Sequence, residues 1–255
     1  CTFLVAMAIE APSDTHGIVY LVGAGPGIVD YLTVHAFRLL QTCDVVVYDA
    51  LVNPEILSLV SEACLHVPVG KRGGQPSTSQ DEINQTLVTH CQRHQRVVRL
   101  KSGDPFIFGR CTSEIEALRA ANCAYEVVPG ISSALAAPLF ASIPLTDPVL
   151  SQGFSVVSAH QPDRLNWDAL VQMETVVILM GTRQLDTIVT ILLERGRSPK
   201  TPIAIIQWAG HPQQTLWSGT LETILVQTSR QSLSPAVIVI GEVVDLRSYI
   251  APNAL

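Results

Sequence analysis

The sequence is short of charge. Asp, Glu, Lys and Arg make up 15% of its 255 residues, against about 25% in an average soluble protein. Alongside 47% hydrophobic residues, that shortage argues for sheets covered on both faces, whose strands have no solvent side to decorate. Basic charge in particular is lacking. The formal net charge is −6, so there is no global footprint for nucleic acid, and an anionic partner has to be met by local Arg and Lys. Long apolar runs are missing too. None reaches the roughly 18 residues that span a bilayer, and the best stretch, residues 134–145, is broken by Pro138 and Pro144. Neither a nucleic-acid partner nor a membrane span is expected. The six cysteines (Cys1, Cys43, Cys64, Cys91, Cys111 and Cys123) include no C-x-x-C pair. Such scatter reads as reduced thiols in a reducing compartment, not as a disulfide or zinc framework. His, Cys and Asp show no ligand spacing, so no metal is expected. Residues 2–9 are apolar but have no basic flank, which argues against a signal peptide. Residues 1–16 read as a poorly ordered leader. The expected location is the cytoplasm, or the plastid stroma if the leader is what remains of a transit peptide.

What is present is alternation. Short β-branched runs at 18–22, 45–48, 97–100 and 125–128 read as buried strands, and amphipathic segments at 32–40, 54–60, 80–91 and 113–121 read as helices between them. That βαβα order argues for a mostly parallel, covered sheet. Ser79, Asp81 and Glu82 ahead of Ile83 and Leu87 look like a helix start. Near residues 143–148, Pro144 and Pro148 predict an extended linker. The pattern then restarts, with strands expected at 154–158, 175–180, 203–208, 215–218 and 236–240 and helices at 169–171, 183–194 and 221–226. The stretch from 203 to 218 fits two antiparallel strands joined at Gly210-His-Pro212. The expected fold class is therefore α/β in two domains, 17–146 with a mostly parallel sheet and 147–255 with a mixed sheet.

Three loops bear on chemistry. Gly23-Ala-Gly-Pro-Gly27 follows the first strand, where glycines allow a tight turn and a close approach of ligand to backbone. It resembles a dinucleotide fingerprint, but the third glycine of G-x-G-x-x-G falls on Ile28, and Pro26 removes an amide. A plain strand-to-helix turn is the other reading, and an NAD-binding oxidoreductase a weaker one. Leu100-Lys-Ser-Gly-Asp-Pro-Phe-Ile-Phe-Gly-Arg110 lies between a strand and a helix, where open α/β sheets bind ligands. Asp104 there is either a ligand carboxylate or a turn cap. Val128-Pro-Gly-Ile-Ser-Ser133 is again strand to helix, and Ser132 and Ser133 are helix caps or ligand donors. All three loops sit at strand carboxyl ends and are expected to line one crevice.

Val22-Gly-Ala-Gly-Pro-Gly-Ile-Val-Asp-Tyr-Leu-Thr33 resembles the first signature of the tetrapyrrole methylases. Residues 97–130, with their Gly-Asp-Pro-Phe-Ile-Phe-Gly-Arg core, resemble the second. Tyr48-Asp-Ala-Leu-Val52, Val69-Gly-Lys-Arg72, Asn166-Trp-Asp-Ala-Leu170, Gln207-Trp-Ala209 and residues 234–244 are similar to further family segments, so the resemblance covers nearly the whole chain. The Tyr-Asp and Gly-Lys-Arg segments resemble most closely the branch that acts on uroporphyrinogen III.

The resemblance implies a homodimer of two-domain α/β chains of the tetrapyrrole methylase type, with the active site in the cleft between domains. It implies that S-adenosylmethionine, leaving as S-adenosylhomocysteine, is held by Pro26, Ser102, Gly103, Asp104, Ile107, Ser132, Ser133, Met180 and Ala209. It implies C-methylation of uroporphyrinogen III at two ring carbons to give precorrin-2, towards sirohaem or corrinoids. The alternative is another methylase of the superfamily, acting on a later corrin or on protein or RNA. By position, Asp49 is the proton acceptor and Lys71 the proton donor. An unperturbed lysine has a pKa of about 10.4, so clamping substrate carboxylates together with Arg72 suits Lys71 better. Arg110 is a further carboxylate candidate. Without the resemblance, Asp49 is a turn residue or the ribose acid of a dinucleotide site, Arg110 a solvated helix-start residue and Met180 core filler. His160 is a turn residue or a substrate contact. The sequence departs from the family at Ser102, where glycine is common, at Cys111-Thr-Ser113, and at Asp147, where a basic residue often stands. The last departure puts a contact there with a substrate carboxylate in question. No dehydrogenase domain of the kind fused in some sirohaem synthases is matched, so methyl transfer alone is expected.

Overall fold

Val, Ile and Leu dominate the runs that become strands, and the structure, a computed structural model describing residues 17–70 and 78–251, arranges them in two five-stranded sheets. The first holds β1 (Ile18–Gly23), β2 (Val45–Tyr48), β3 (Leu65–Pro68), β4 (Arg96–Lys101) and β5 (Ala124–Val128), in the order β3-β2-β4-β1-β5. Every pairing in it is parallel. Its helices are α1 (Val34–Thr42), α2 (Pro54–Leu57), α3 (Gln80–Gln92) and α4 (Cys111–Ala120). Successive strand residues point to opposite faces. Val22, Val46, Val98 and Leu100 accordingly pack with Leu40 of α1 and Ile56 of α2. Val19, Leu21, Val45, Val47 and Val97 pack with Leu87 of α3 and Leu118 of α4. Ser79 and Glu82 form a reciprocal capping box at the start of α3, the helix start expected from their spacing.

β3 was not expected. It has four residues, mostly exposed, at the sheet's edge and ending in Pro68. Such an edge strand carries neither the apolar run nor the alternation that marks strands in a sequence. The helix expected over 54–60 stops at Leu57, and the one expected from 113 begins at Cys111. The segment 143–148 is less a linker than the approach to a closed turn. Asp147 and Ser151 exchange backbone hydrogen bonds of 2.8 and 3.1 Å, and Asp147 Oδ1 accepts from the amides of Val149 and Leu150, each at 2.9 Å. An acid at 147 thus has a local task that a basic residue cannot perform.

The second sheet holds β6 (Phe154–Ser158), β7 (Thr175–Leu179), β8 (Pro202–Gln207), β9 (Thr215–Thr220) and β10 (Ala236–Ile240), in the order β6-β7-β10-β8-β9. β6 and β7 are parallel and the other pairings antiparallel, including the expected β8–β9 pair. α5 (Ser133–Phe140) precedes this sheet, and α6 (Trp167–Leu170), α7 (Leu185–Glu194), α8 (Ile224–Thr228) and α9 (Leu246–Ile250) accompany it. One face buries Ile178, Ile203, Ile205 and Ile238 against Ile188 and Leu192 of α7. The other buries Val177, Ala204, Ile206 and Val237 against Ala134 and Ala137 of α5. Alanines let that helix lie close to the second sheet, so a helix that follows the last strand of the first sheet belongs to the core of the second. Among the described residues, no helix is long and apolar enough to cross a membrane.

Cys43, Cys64, Cys91, Cys111 and Cys123 are free and buried. Burial, helped by Glu114, lifts the Cys111 thiol from 9.0 to about 11, and burial with the neighbouring Cys123 lifts Cys91 to about 12. A folded-state pKa above the unfolded one favours the fold fully below the unfolded value and ceases to do so as pH climbs through the folded value. Stability is therefore expected to fall with pH above about 9, where the unfolded chain sheds thiol protons that the folded chain keeps. Urea denaturation across this range should show a shallower loss for Cys111→Ala than for the parent chain; equal slopes would contradict the assignment.

Candidate active site

The site begins with neighbourhood in the sheet. β4, β1 and β5 lie side by side and run parallel, so the loops leaving their carboxyl ends emerge together. Gly25 N donates to Gly103 O at 3.1 Å and Gly103 N to Gly25 O at 2.9 Å. A Cβ at Gly23 would lie 2.6 Å from both Gly103 O and Gly130 Cα, closer than packed atoms approach. Gly25 and Gly103 have φ of 71° and 72°, left-handed backbone that glycine adopts without strain. Asp104 ties the second loop to the third. Its Oδ2 accepts from Gly130 N at 3.2 Å and its Oδ1 from Phe106 N at 2.9 Å, so both oxygens hold backbone. The three loops converge as expected, with Pro26 in the first. Ser132 Oγ accepts from Ala134 N at 3.3 Å and caps α5. A Cβ at Gly103 would sit 3.7 Å from Ser133 N and 3.8 Å from Ser132 Cα. The bare face of Gly103 thus looks onto the first turn of α5. Ser102 and Ile107 are exposed beside it.

Asp49 directly follows β2, and its amide donates to Leu100 O of β4 at 3.2 Å. Its carboxylate meets a residue that the sequence did not single out. Arg99 Nη2 lies 2.5 Å from Asp49 Oδ1, and Arg99 Nε lies 2.9 Å from Glu114 Oε1. Lys101 Nζ donates to both oxygens of Glu114 at 2.8 Å. Arg99 Nη1 also reaches the carbonyls of Val47 and Leu100 at 3.5 and 3.3 Å. The side chains of Arg99 and Glu114 are 3% and 0% exposed and that of Asp49 is 32% exposed. Two cations and two anions therefore form a neutral chain with one end open to solvent. Burial works against the Arg99 charge, but Asp49 and Glu114 outweigh it and raise its pKa. Arg99 and Lys101 follow Val97 at period 2 onto the face covered by α4. The sequence held a signal: Arg99 between Val98 and Leu100 in a strand read as buried, with Lys101 directly after it, requires a buried partner.

The second half supplies the opposite side. β7 and β8 both run antiparallel to β10 between them, so their carboxyl ends share an edge. Met180 stands just past one end, half exposed and at φ 56°. Ala209 follows the other end, after Trp208 at φ 50°, and packs on the cluster that contains Ala134 and Ala137. The β8–β9 turn touches the first glycine loop: a Cβ at Gly27 would lie 2.1 Å from His211 Nε2. The Phe140 and Tyr31 rings are 5.0 Å apart, and Gln214 Nε2 donates to Phe140 O at 3.2 Å. A hollow of about 500 Å³ lies between the halves, lined by Ala50, Leu51, Asn53, Trp208 and His211 among others. His160, two residues past β6, which runs parallel to β7, lies at the same edge as Met180 and lines a second hollow of about 440 Å³ with Arg164 and Gln184. Arg110 is exposed at φ 55° and precedes α4 without capping it through its side chain. Lys71 and Arg72 lie outside the described residues. Ser113 Oγ accepts from Asn84 Nδ2 at 3.0 Å and links α4 to α3, and Cys111 is core, so two of the departures after Arg110 serve packing.

A dinucleotide site is not supported. The fingerprint fold orders its strands 3-2-1-4-5, with a helix opening on the glycine loop. Here β4 separates β1 from β2, and a 3-10 turn at Val29–Tyr31 precedes α1.

Glycine loops meeting at one edge of a parallel sheet, followed by a second, mixed sheet, are in keeping with the class of the tetrapyrrole methylases. The family model for Tetrapyrrole (Corrin/Porphyrin) Methylases matches residues 18–225, and the chain belongs to that family. Within it, the chain is 58% identical over 233 residues to the uroporphyrinogen-III C-methyltransferase of Synechococcus elongatus, covering 91% of this chain and 96% of that one. The crystal structure of the uroporphyrin-III C-methyl transferase of Thermus thermophilus complexed with S-adenyl homocysteine matches with a TM-score of 0.78 at 36% identity, covering 90% of this chain and all of that one. The siroheme synthase of Chromobacterium violaceum is 44% identical over 239 residues, and the match spans 51% of its length.

Gly130→Ala would put a Cβ 2.3 Å from Gly103 O. It should push the second and third loops apart, cost about 1–3 kcal/mol of stability as overpacking does, and weaken S-adenosylhomocysteine binding by at least about tenfold, or 1.4 kcal/mol. Calorimetric titration checks this; unchanged affinity would mean the ligand does not sense the contact between these loops.

Proposed function

We propose that this chain transfers methyl groups from S-adenosylmethionine to two ring carbons of uroporphyrinogen III, giving precorrin-2 for sirohaem or corrinoid synthesis. The observation that carries the proposal is the meeting of three glycine loops at one sheet edge, after β4, β1 and β5, of which β4 is the neighbour of β2, the strand that Asp49 follows. Relatives named uroporphyrinogen-III C-methyltransferase at 58% and 42% identity favour this substrate over a later corrin, protein or RNA.

The residues fit the cofactor. The face of Gly103 that a Cβ would fill, opposite Ser132 and Ser133, suits a ligand lying against backbone. Pro26, Ser102, Asp104, Ile107, Met180 and Ala209 complete its surroundings in this proposal. When bound, S-adenosylmethionine supplies a methyl group made electrophilic by its sulfonium. The protein's main task is then alignment of an electron-rich pyrrole carbon.

A methylated ring carbon leaves the pyrrole cationic, and a proton must depart. Asp49 accepts it. Arg99 holds Oδ1, which leaves Oδ2 as the acceptor. Arg110, with Lys71 and Arg72, meets substrate carboxylates. A homodimer belongs to the same proposal: Ile131, Leu135 and Leu139 recur at four-residue spacing and are exposed by 41%, 49% and 71%, an apolar stripe for a partner to cover. The buried free thiols suit a reducing cytoplasm or plastid stroma.

Anaerobic incubation with uroporphyrinogen III and S-adenosylmethionine should give a product carrying two added methyl groups by mass spectrometry; no methyl gain would refute the substrate. Asp49→Ala should lower turnover by about 10²- to 10⁴-fold while leaving S-adenosylhomocysteine affinity unchanged. Normal turnover would remove Asp49 from the role of base.

A further inference from the structure

We infer that Glu114, with Lys101 as its counter-charge, is a positioning residue that acts on Asp49 through Arg99. The inference rests on the role of Asp49 proposed above. Glu114 is fully buried on α4 and touches nothing in the cleft. Its Oε1 receives Arg99 Nε at 2.9 Å, and both its oxygens receive Lys101 Nζ at 2.8 Å. Arg99 is a planar fork whose donors point in fixed directions. Fixing Nε at Glu114 and Nη1 at the carbonyls of Val47 and Leu100 aims Nη2 at Asp49. Asp49 itself sits just beyond β2; its amide is held by Leu100 O at 3.2 Å, and its carboxylate is held by Arg99.

Lys101 keeps the arrangement neutral and leads directly into the loop of Ser102, Gly103 and Asp104. Its carbonyl accepts from Ala24 N of the first glycine loop at 2.7 Å. Its stem runs under Gly109, where a Cβ would come within 3.2 Å of Lys101 Cε. The same strand segment therefore aims the acid and anchors the loop opposite it. A purely structural core has no use for this design, since replacing buried ion pairs by apolar side chains is often neutral or stabilising. The chain of charges has one open end, and that end is Asp49.

Glu114→Gln keeps shape and removes one charge. It should lower kcat for methyl transfer by about 10- to 100-fold, part of what a positioned base contributes, with S-adenosylhomocysteine affinity unchanged. Because it strands Lys101 without a counter-charge, the neutral double variant Lys101→Met/Glu114→Gln is measured beside it. The double variant should regain melting temperature but not kcat. A double variant with normal kcat would show that Glu114 only neutralises Lys101, and a normal kcat in Glu114→Gln alone would equally overturn the inference. Asp49→Asn separates the two proposals. If it turns over slowly while the double variant is normal, the positioning role fails and the base stands. If Asp49→Asn itself turns over normally, the base fails and the positioning role with it.

Discussion

Three glycines at the carboxyl ends of three neighbouring strands touch backbone to backbone, and much of the molecule is arranged around that contact. Gly23 admits Gly103 O and Gly130 Cα to 2.6 Å from where a side chain would begin. With the loops that close, Gly25 and Gly103 pair their amides and carbonyls, and Asp104 reaches Gly130. The floor of the cleft is therefore main chain, held by hydrogen bonds that rotamer changes cannot disturb. The third loop does more than form that floor. From Gly130 it passes Ser132 into α5, whose alanines lie on the second sheet. The contact that shapes the floor thus also fixes where the second half of the chain is attached.

This dependence explains what was legible in the sequence. Glycine and proline punctuation marked all three loops, because backbone that must bend or approach closely tolerates few other residues. Doubly covered strands announce themselves as apolar runs, and β1, β2 and β4 were read within one or two residues; β5, an exposed edge strand, was read as well because of its Val127-Val128 end. β3 has neither property and passed unread. The buried charges were hidden for a different reason. Arg99 and Lys101 are local facts, but their partners Glu114 and Asp49 lie 15 and 50 residues from Arg99. Only the fold reveals that α4 lies on that face of β4. His211 was invisible likewise: its relation to Gly27 arises where two domains meet, and no periodicity encodes it.

The charges set the strictest condition on that region. Breaking a buried pair costs about 3–5 kcal/mol because the remaining charge has no partner, which is a large share of the 5–15 kcal/mol that typically separates folded from unfolded. The chain of Asp49, Arg99, Glu114 and Lys101 tolerates burial because it is neutral and densely hydrogen-bonded. Its stability depends on completeness. An acid whose position is maintained this way does not have to reorganise during a reaction, as a solvated carboxylate on a free loop would.

The two halves meet the cleft by different means. In the first, the residues at positive φ where the glycine loops meet are Gly25, Gly27 and Gly103, and the backbone itself is presented there, although Phe108 and Arg110 also hold positive φ further along the second loop. In the second, the residues just past β7 and β8 are Met180 and Trp208, also at positive φ but with side chains. A non-glycine residue held there costs of order 1–3 kcal/mol, and glycine would avoid that cost. What glycine would give up is the side chain, a thioether in one case and an indole in the other, at the edge facing the glycine loops. Tolerating that cost where glycine is easier assigns the contribution of the second half to its side chains. A cleft with a main-chain floor and a side-chain wall suits a reaction in which one reactant lies against backbone while a flat apolar ring must be held by contact.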